Sequence, residues 1–274
     1  MTNLILSGCR RLLHNRAFHI TSLVVAVSGL FEITMMIQDD MAFYDTGVFA
    51  YATLGILAVA AIVPLFIGCE FSDGTIRNKL IAGHKRSHVY VAMLVTSLFA
   101  EFLLIVIWSV AYLVPGMIYM SHANAISVYV ILYLTMFLEL AVFTSIFTLI
   151  TFTIGNRSSA AVVSIFVSLL LLIQGAAFSS MLKEPEFYGP ELVLSEEGEM
   201  TVNKDHQPNP NYIAPGTLKR AFYELLMDFT PGGQAIQISE QNISSCKMMC
   251  IYDIGWLCTI NTIGILIFHY KDLK

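Results

Sequence analysis

The chain has 274 residues, of which 56% are hydrophobic and only 13% charged, and its formal net charge is −5. A soluble domain of this length carries charge on about a quarter of its residues, so too few polar groups are present to cover a water-facing surface. No basic tract of the kind nucleic-acid binding requires is present either, so nucleic acid is not an expected partner.

In chain order, residues 1–17 form the first expected element, a short amphipathic helix lying in the inner membrane interface. Leu4, Ile5, Leu12 and Leu13 fall on one side at helical spacing, and Ser7, Arg10, Arg11 and His14 on the other. Arg10, Arg11 and Arg16 would meet anionic headgroups. Six apolar segments follow, at about 18–37, 47–69, 89–117, 128–153, 160–182 and 249–268. Each suits the roughly 20 residues that a helix needs to cross a hydrocarbon core about 30 Å thick. They are continuous rather than alternating, which predicts helices and not a barrel. The first has no small-residue cleavage pattern and reads as retained. The expected fold class is therefore an all-α integral membrane protein with six transmembrane helices, spans one to five within 18–182 and the sixth within 248–274.

Basic residues set the expected orientation. With the N-terminus inside, the cytoplasmic segments hold ten of the fifteen Lys and Arg, while the first outer loop carries Asp39, Asp40 and Asp45 and no base. Both termini are then cytoplasmic. Three acids fall inside the spans: Glu32, Glu101 and Glu139. A charge at the centre of a membrane helix costs about 2.5–3.5 kcal/mol on insertion scales, so each should face protein or water. Glu101 and Glu139 reach similar depth in consecutive spans. They are expected to meet as hydrogen-bonded neutral acids, with substrate contact or proton handling as the other roles weighed; Glu32 is expected to reach the headgroups.

Residues 183–247 are expected outside the membrane. They hold ten acids and five bases, begin as an acidic, irregular stretch, and are punctuated by Pro208, Pro210 and Pro215. Leu218, Phe222, Leu225, Leu226 and Phe229 then recur with helical period, and Thr230-Pro231-Gly232-Gly233 breaks that helix before a second short one begins at Gln234. This pair is expected on the outer mouth of the bundle or dipping into the outer interface.

The most informative connection, 70–88, joins spans two and three. It reads as a polar loop containing a helix of about two turns, capped by Ser72 or Asp73. Its stretch Glu70-Phe71-Ser72-Asp73-Gly74-Thr75-Ile76-Arg77-Asn78-Lys79-Leu80 resembles the corresponding loop of type-2 ATP-binding-cassette (ABC) transporter permeases. Phe229-Thr-Pro231-Gly232-Gly-Gln234 before the last span resembles their external Pro-Gly-Gln turn. The apolar helix and short basic tail at 264–274 also resemble theirs.

The resemblance implies an exporter permease whose 70–80 loop is a coupling helix, with Glu70, Phe71, Asp73, Gly74, Thr75, Arg77 and Lys79 transmitting motion from a separate ABC ATPase. The 1–17 helix would be a second contact. ATP and Mg would sit on that partner, since this chain has no G-x-x-x-x-G-K-[ST] stretch. A second permease copy and membrane lipid are the further partners implied, the plasma membrane the location, and an amphipathic peptide, drug or lipid the substrate. Competing readings are a membrane-embedded hydrolase and a non-transporting assembly or sensor subunit. Against the first of these stands the absence of H-E-x-x-H and G-x-S-x-G motifs; no metal ligand set is expected either.

Overall fold

The computed structural model describes all residues except 40, 188–190, 195–199, 204–207 and 273–274. Six of its helices are long and apolar enough to cross a membrane. They are α2 (Arg16–Gln38), α4 (Tyr51–Ser72), α6 (Arg86–Tyr119), α7 (Ile126–Ile154), α8 (Arg157–Lys183) and α11 (Cys246–Tyr270), each containing or closely overlapping an expected span. Of the apolar window in α4, 61% is buried, against 17% in α2 and in α8. Thus α4 is the central helix, and the outer helices present Leu23, Val27, Phe166, Leu170, Ile254 and Leu266 outward. A surface this apolar belongs against lipid.

The end of the bundle carrying both termini also carries the α4–α6 and α7–α8 connections, and is called here the basic end. Helix α1 (Thr2–Leu13) packs there on α6 through Leu4, Gly8 and Leu12, spaced four apart. Gly8 is required because a Cβ would run into the Thr96 side chain of α6. The face turned inward is thus narrower than expected, with Leu13 exposed. Asn15 caps α2, accepting from the Ala17 amide at 2.8 Å, and Asn156 caps α8 through the Ser158 and Ser159 amides.

At the opposite end, the four-residue α3 (Asp45–Val48) supplies a buried carboxylate that gathers the loops. Asp45 accepts from the Ala123 and Asn124 amides at 2.5 and 2.7 Å and from the Tyr129 hydroxyl. Beyond α8 lies an antiparallel pair, β1 (Glu191–Leu194) and β2 (Met200–Asn203), registered Glu191 with Asn203 and Leu194 with Met200. An irregular stretch was expected there. The Leu-Val-Leu and Thr-Val runs favour extended backbone more than the surrounding acids oppose it. Glu196, Glu197 and Glu199 lie outside the described residues.

The segment before the last span was expected on the outer mouth of the bundle or dipping into the outer interface. Helix α9 (Leu218–Phe229) and helix α10 (Pro231–Ser239) form a re-entrant hairpin. Thr230 caps α10 and Pro231 opens it, where proline's missing N–H costs nothing. The second helix therefore starts three residues earlier than expected, and Pro231 through Ala235 are all buried. The apex touches Leu171 and Gly175 of α8, and the Phe229 carbonyl accepts from the Trp256 indole of α11 at 2.9 Å. At 1.5 Å per residue these contacts lie about 12–18 Å inside the ends of α8 and α11, near half the thickness of a bilayer core. Leu218, Phe222, Leu225 and Phe229 remain exposed, continuing the lipid-facing surface.

Candidate functional site

At the basic end, α4 ends on Asp73 and the chain reverses through Gly74, whose φ of 67° lies in the left-handed region that glycine adopts freely. Helix α5 (Thr75–Ile81) follows. Neither Ser72 nor Asp73 caps it: Gly74 occupies the cap position, and the Ser72 hydroxyl donates back to the Gly68 carbonyl at 3.0 Å.

The helix is held by Glu70 instead, a carboxylate only 1% exposed. Its Oε2 accepts from the Thr75 hydroxyl and from Lys79 Nζ, both at 2.7 Å. Its Oε1 pairs with the Arg11 guanidinium of α1. One buried anion thus joins α1, α4 and α5, and removing one partner would strand the others without a counter-charge. Beside it lies a cavity of about 350 Å³ lined by Arg11, His14, Asn15, Cys69 and Asp73 among others.

Two cations around one anion leave Lys79 with a weakened hold on its proton: burial, then the neighbouring Arg11, pushes it down to about 8. The neutral amine is the nucleophile, so Lys79 should acylate with a midpoint near pH 8. Exposed lysines should need a pH near 10.4. Residue-resolved labelling across pH checks this, and a Lys79 midpoint among the exposed lysines would refute it. The linkage sign is that stability from this group rises as pH climbs from about 8 towards the unfolded value, where only the unfolded chain keeps the proton.

The neighbouring contacts were not legible as a site. Phe71 packs edge-on against Phe152, with ring centroids 5.3 Å apart, and Lys271 Nζ stands 5.1 Å over the Phe71 ring. Lys271 also donates to the Phe152 and Thr153 carbonyls at 2.7 and 2.9 Å, covering the C-terminal end of α7. Arg86 does the same for α11, donating to the Phe268 carbonyl at 2.9 Å and to that of Lys271. In the sequence Arg86 and Lys271 counted towards basic loop charge, and Lys271 also towards the basic tail.

Of the loop positions expected to act together, Glu70, Thr75 and Lys79 converge, Phe71 anchors to the spans, and Gly74 makes the turn. Asp73 and Arg77 are exposed. The outward surface of α5 is Arg77, Asn78 and Ile81, the last 73% exposed. Arg10 and Arg16 are exposed nearby. Pro231, Gly232 and Gln234, expected in an external turn, form the buried start of α10.

Glu32 is half-buried on α2, whereas Glu101 and Glu139 are fully buried in α6 and α7. The expected hydrogen-bonded pairing of these two is not formed. Glu101 Oε2 accepts from Thr144 at 2.6 Å, while its other oxygen and both oxygens of Glu139 have no hydrogen-bond partner. Helix α7 packs chiefly on α11 and α4, so Glu139 also faces Asp253 of α11. Asp253 was missed because it lies close to the expected start of the last span; an acid one turn inside that span was the available signal. No protein-family model matches the chain, and no curated protein matches it.

Proposed function

We propose that this chain is the permease subunit of an ATP-driven exporter of the type-2 ABC kind, coupled through α5 to a separate ATPase. The observation that carries this reading is the buried Glu70, which ties α5 to α4 and α1 while leaving Arg77, Asn78 and Ile81 facing outward. A two-turn helix is marginal in isolation. Here it is fastened to the central span, so a force applied to its outer face is delivered to α4 rather than lost in a loop.

In this reading the basic end is cytoplasmic by the positive-inside rule, the membrane is the plasma membrane, and ATP and Mg belong to the partner. A second permease copy completes the pathway. The substrate is an amphipathic molecule, a cationic peptide or drug fitting the acidic 183–247 segment best.

The test is co-purification of the full chain with its cognate ATPase in mild detergent. Arg77→Ala should lower retention about tenfold, the weight of one good interface anchor. If wild type retains no ATPase, the proposal fails.

A further inference from the structure

Asp253, Glu139 and Glu101 are all 0% exposed and lie in one layer, Glu139 neighbouring both of the others. Five of their six carboxyl oxygens have no hydrogen-bond partner. A buried ionised carboxylate without a partner is strongly disfavoured, and the usual remedy is a nearby cation. None exists here, because Lys, Arg and His occur only towards the ends of the six spans.

A second observation comes from a different element. Gln234 of α10 is 0% exposed, its amide lies against Asp253, and its Oε1 also lacks a partner. An amide oxygen can only accept. Its carboxyl neighbour has a hydrogen to give only when protonated. Each proton on Asp253 or Glu139 would turn one unpartnered acceptor into a donor and so give one further oxygen of the cluster a partner.

The layer also has a polar route outward. Gln234 Nε2 donates to the Asp228 carbonyl at 2.7 Å, and Gln237 Nε2 donates to Asp228 Oδ1 at 2.9 Å. Asp228 and Gln237 line a cavity of about 460 Å³ at the end of the bundle opposite the basic one.

We propose that Asp253 and Glu139 form an exchangeable proton site at mid-depth, reached from that cavity along Asp228, Gln237 and Gln234. The titratable groups around it are Glu101 of α6, Asp228 of α9, Cys250 of α11 and, next to Glu101, Tyr51 of α4; α8 contributes none at this depth and α10 none at all. Loss of a proton adds a negative charge to a cluster of unpartnered acceptors and loosens the seam where α10 meets α7 and α11. The reading is independent of any ATPase partner.

Infrared spectroscopy of the full chain in nanodiscs tests it through the carbonyl stretch of protonated carboxyls. The band should shift within minutes of transfer to heavy water. It should also fall in amplitude as the pH is raised. Glu139→Gln and Asp253→Asn, isosteric changes that keep the hydrogen-bonding shape, should each remove part of the pH-dependent band. Asp228→Ala should slow the heavy-water shift several-fold. A band that neither exchanges nor responds to pH in wild type would overturn the proposal, as would a full response surviving in both variants.

Discussion

Gly232→Ala is expected to lower the stability of the folded chain by about 2–3 kcal/mol, the scale of overpacking at a site that cannot relax. A Cβ at Gly232 would fall on the backbone carbonyl of Leu171, and one at Gly175 on the backbone of Gly232. Helices α8 and α10 therefore meet backbone to backbone, as membrane helices with small residues at the contact do. A flexible side chain could give way, but two carbonyl-bearing backbones cannot. The gain of about 1 kcal/mol that alanine brings to a helix interior does not offset this. Thermal unfolding of the purified protein should show a midpoint lower by roughly 5–10 °C. Gly255→Ala is the control, because a Cβ there meets nothing within 4 Å. It should be neutral or slightly stabilising, and equal loss in both variants would refute the packing account.

Glu70→Ala is expected to lose about 3 kcal/mol, the lower end of the range for breaking a buried ion pair, since Arg11 keeps 42% exposure and some hydration. Lys79, only 14% exposed, is left without its anion. Glu70→Gln should fall between wild type and Glu70→Ala, because it retains an acceptor for Thr75 but not the charge. The diagnostic measurement is a double-mutant cycle. In a Lys79→Met background, Glu70→Ala should cost much less, with a coupling of about 1–3 kcal/mol. Additive losses would mean that Glu70 acts through packing alone and that α5 is held by Ile76 and Leu80.

What was read correctly along the chain is local. Spans and the amphipathic rhythm of α9 follow from composition and spacing within one element, whereas the cap expected at Ser72 or Asp73 is not formed and Gly74 takes that position. Spacing alone leaves open whether α9's apolar face turns to protein or to the membrane interface. The usual rule turns such a face towards protein, but where the solvent is hydrocarbon Phe222 and Leu225 are at ease facing outward. The re-entrant path did not follow, because Pro231-Gly232-Gly233 reads as a turn in water. Its burial depends on a matching Gly175 more than fifty residues away, a pairing that no periodicity carries.

The sequence by itself determined that the chain forms six helices long and apolar enough to cross a membrane, since backbone hydrogen bonds must close within each segment where water is absent. It also marked which few residues were too polar for their surroundings. Only the tertiary structure decided what those residues meet: Glu70 with Arg11 and Lys79, Lys271 with the end of α7, and Glu139 with Asp253 in place of a hydrogen bond to Glu101. The reason is physical. Burial makes an unpartnered polar group costly, but the rotation and tilt of neighbouring helices choose which groups meet, and these are set by side-chain packing between segments far apart in the chain.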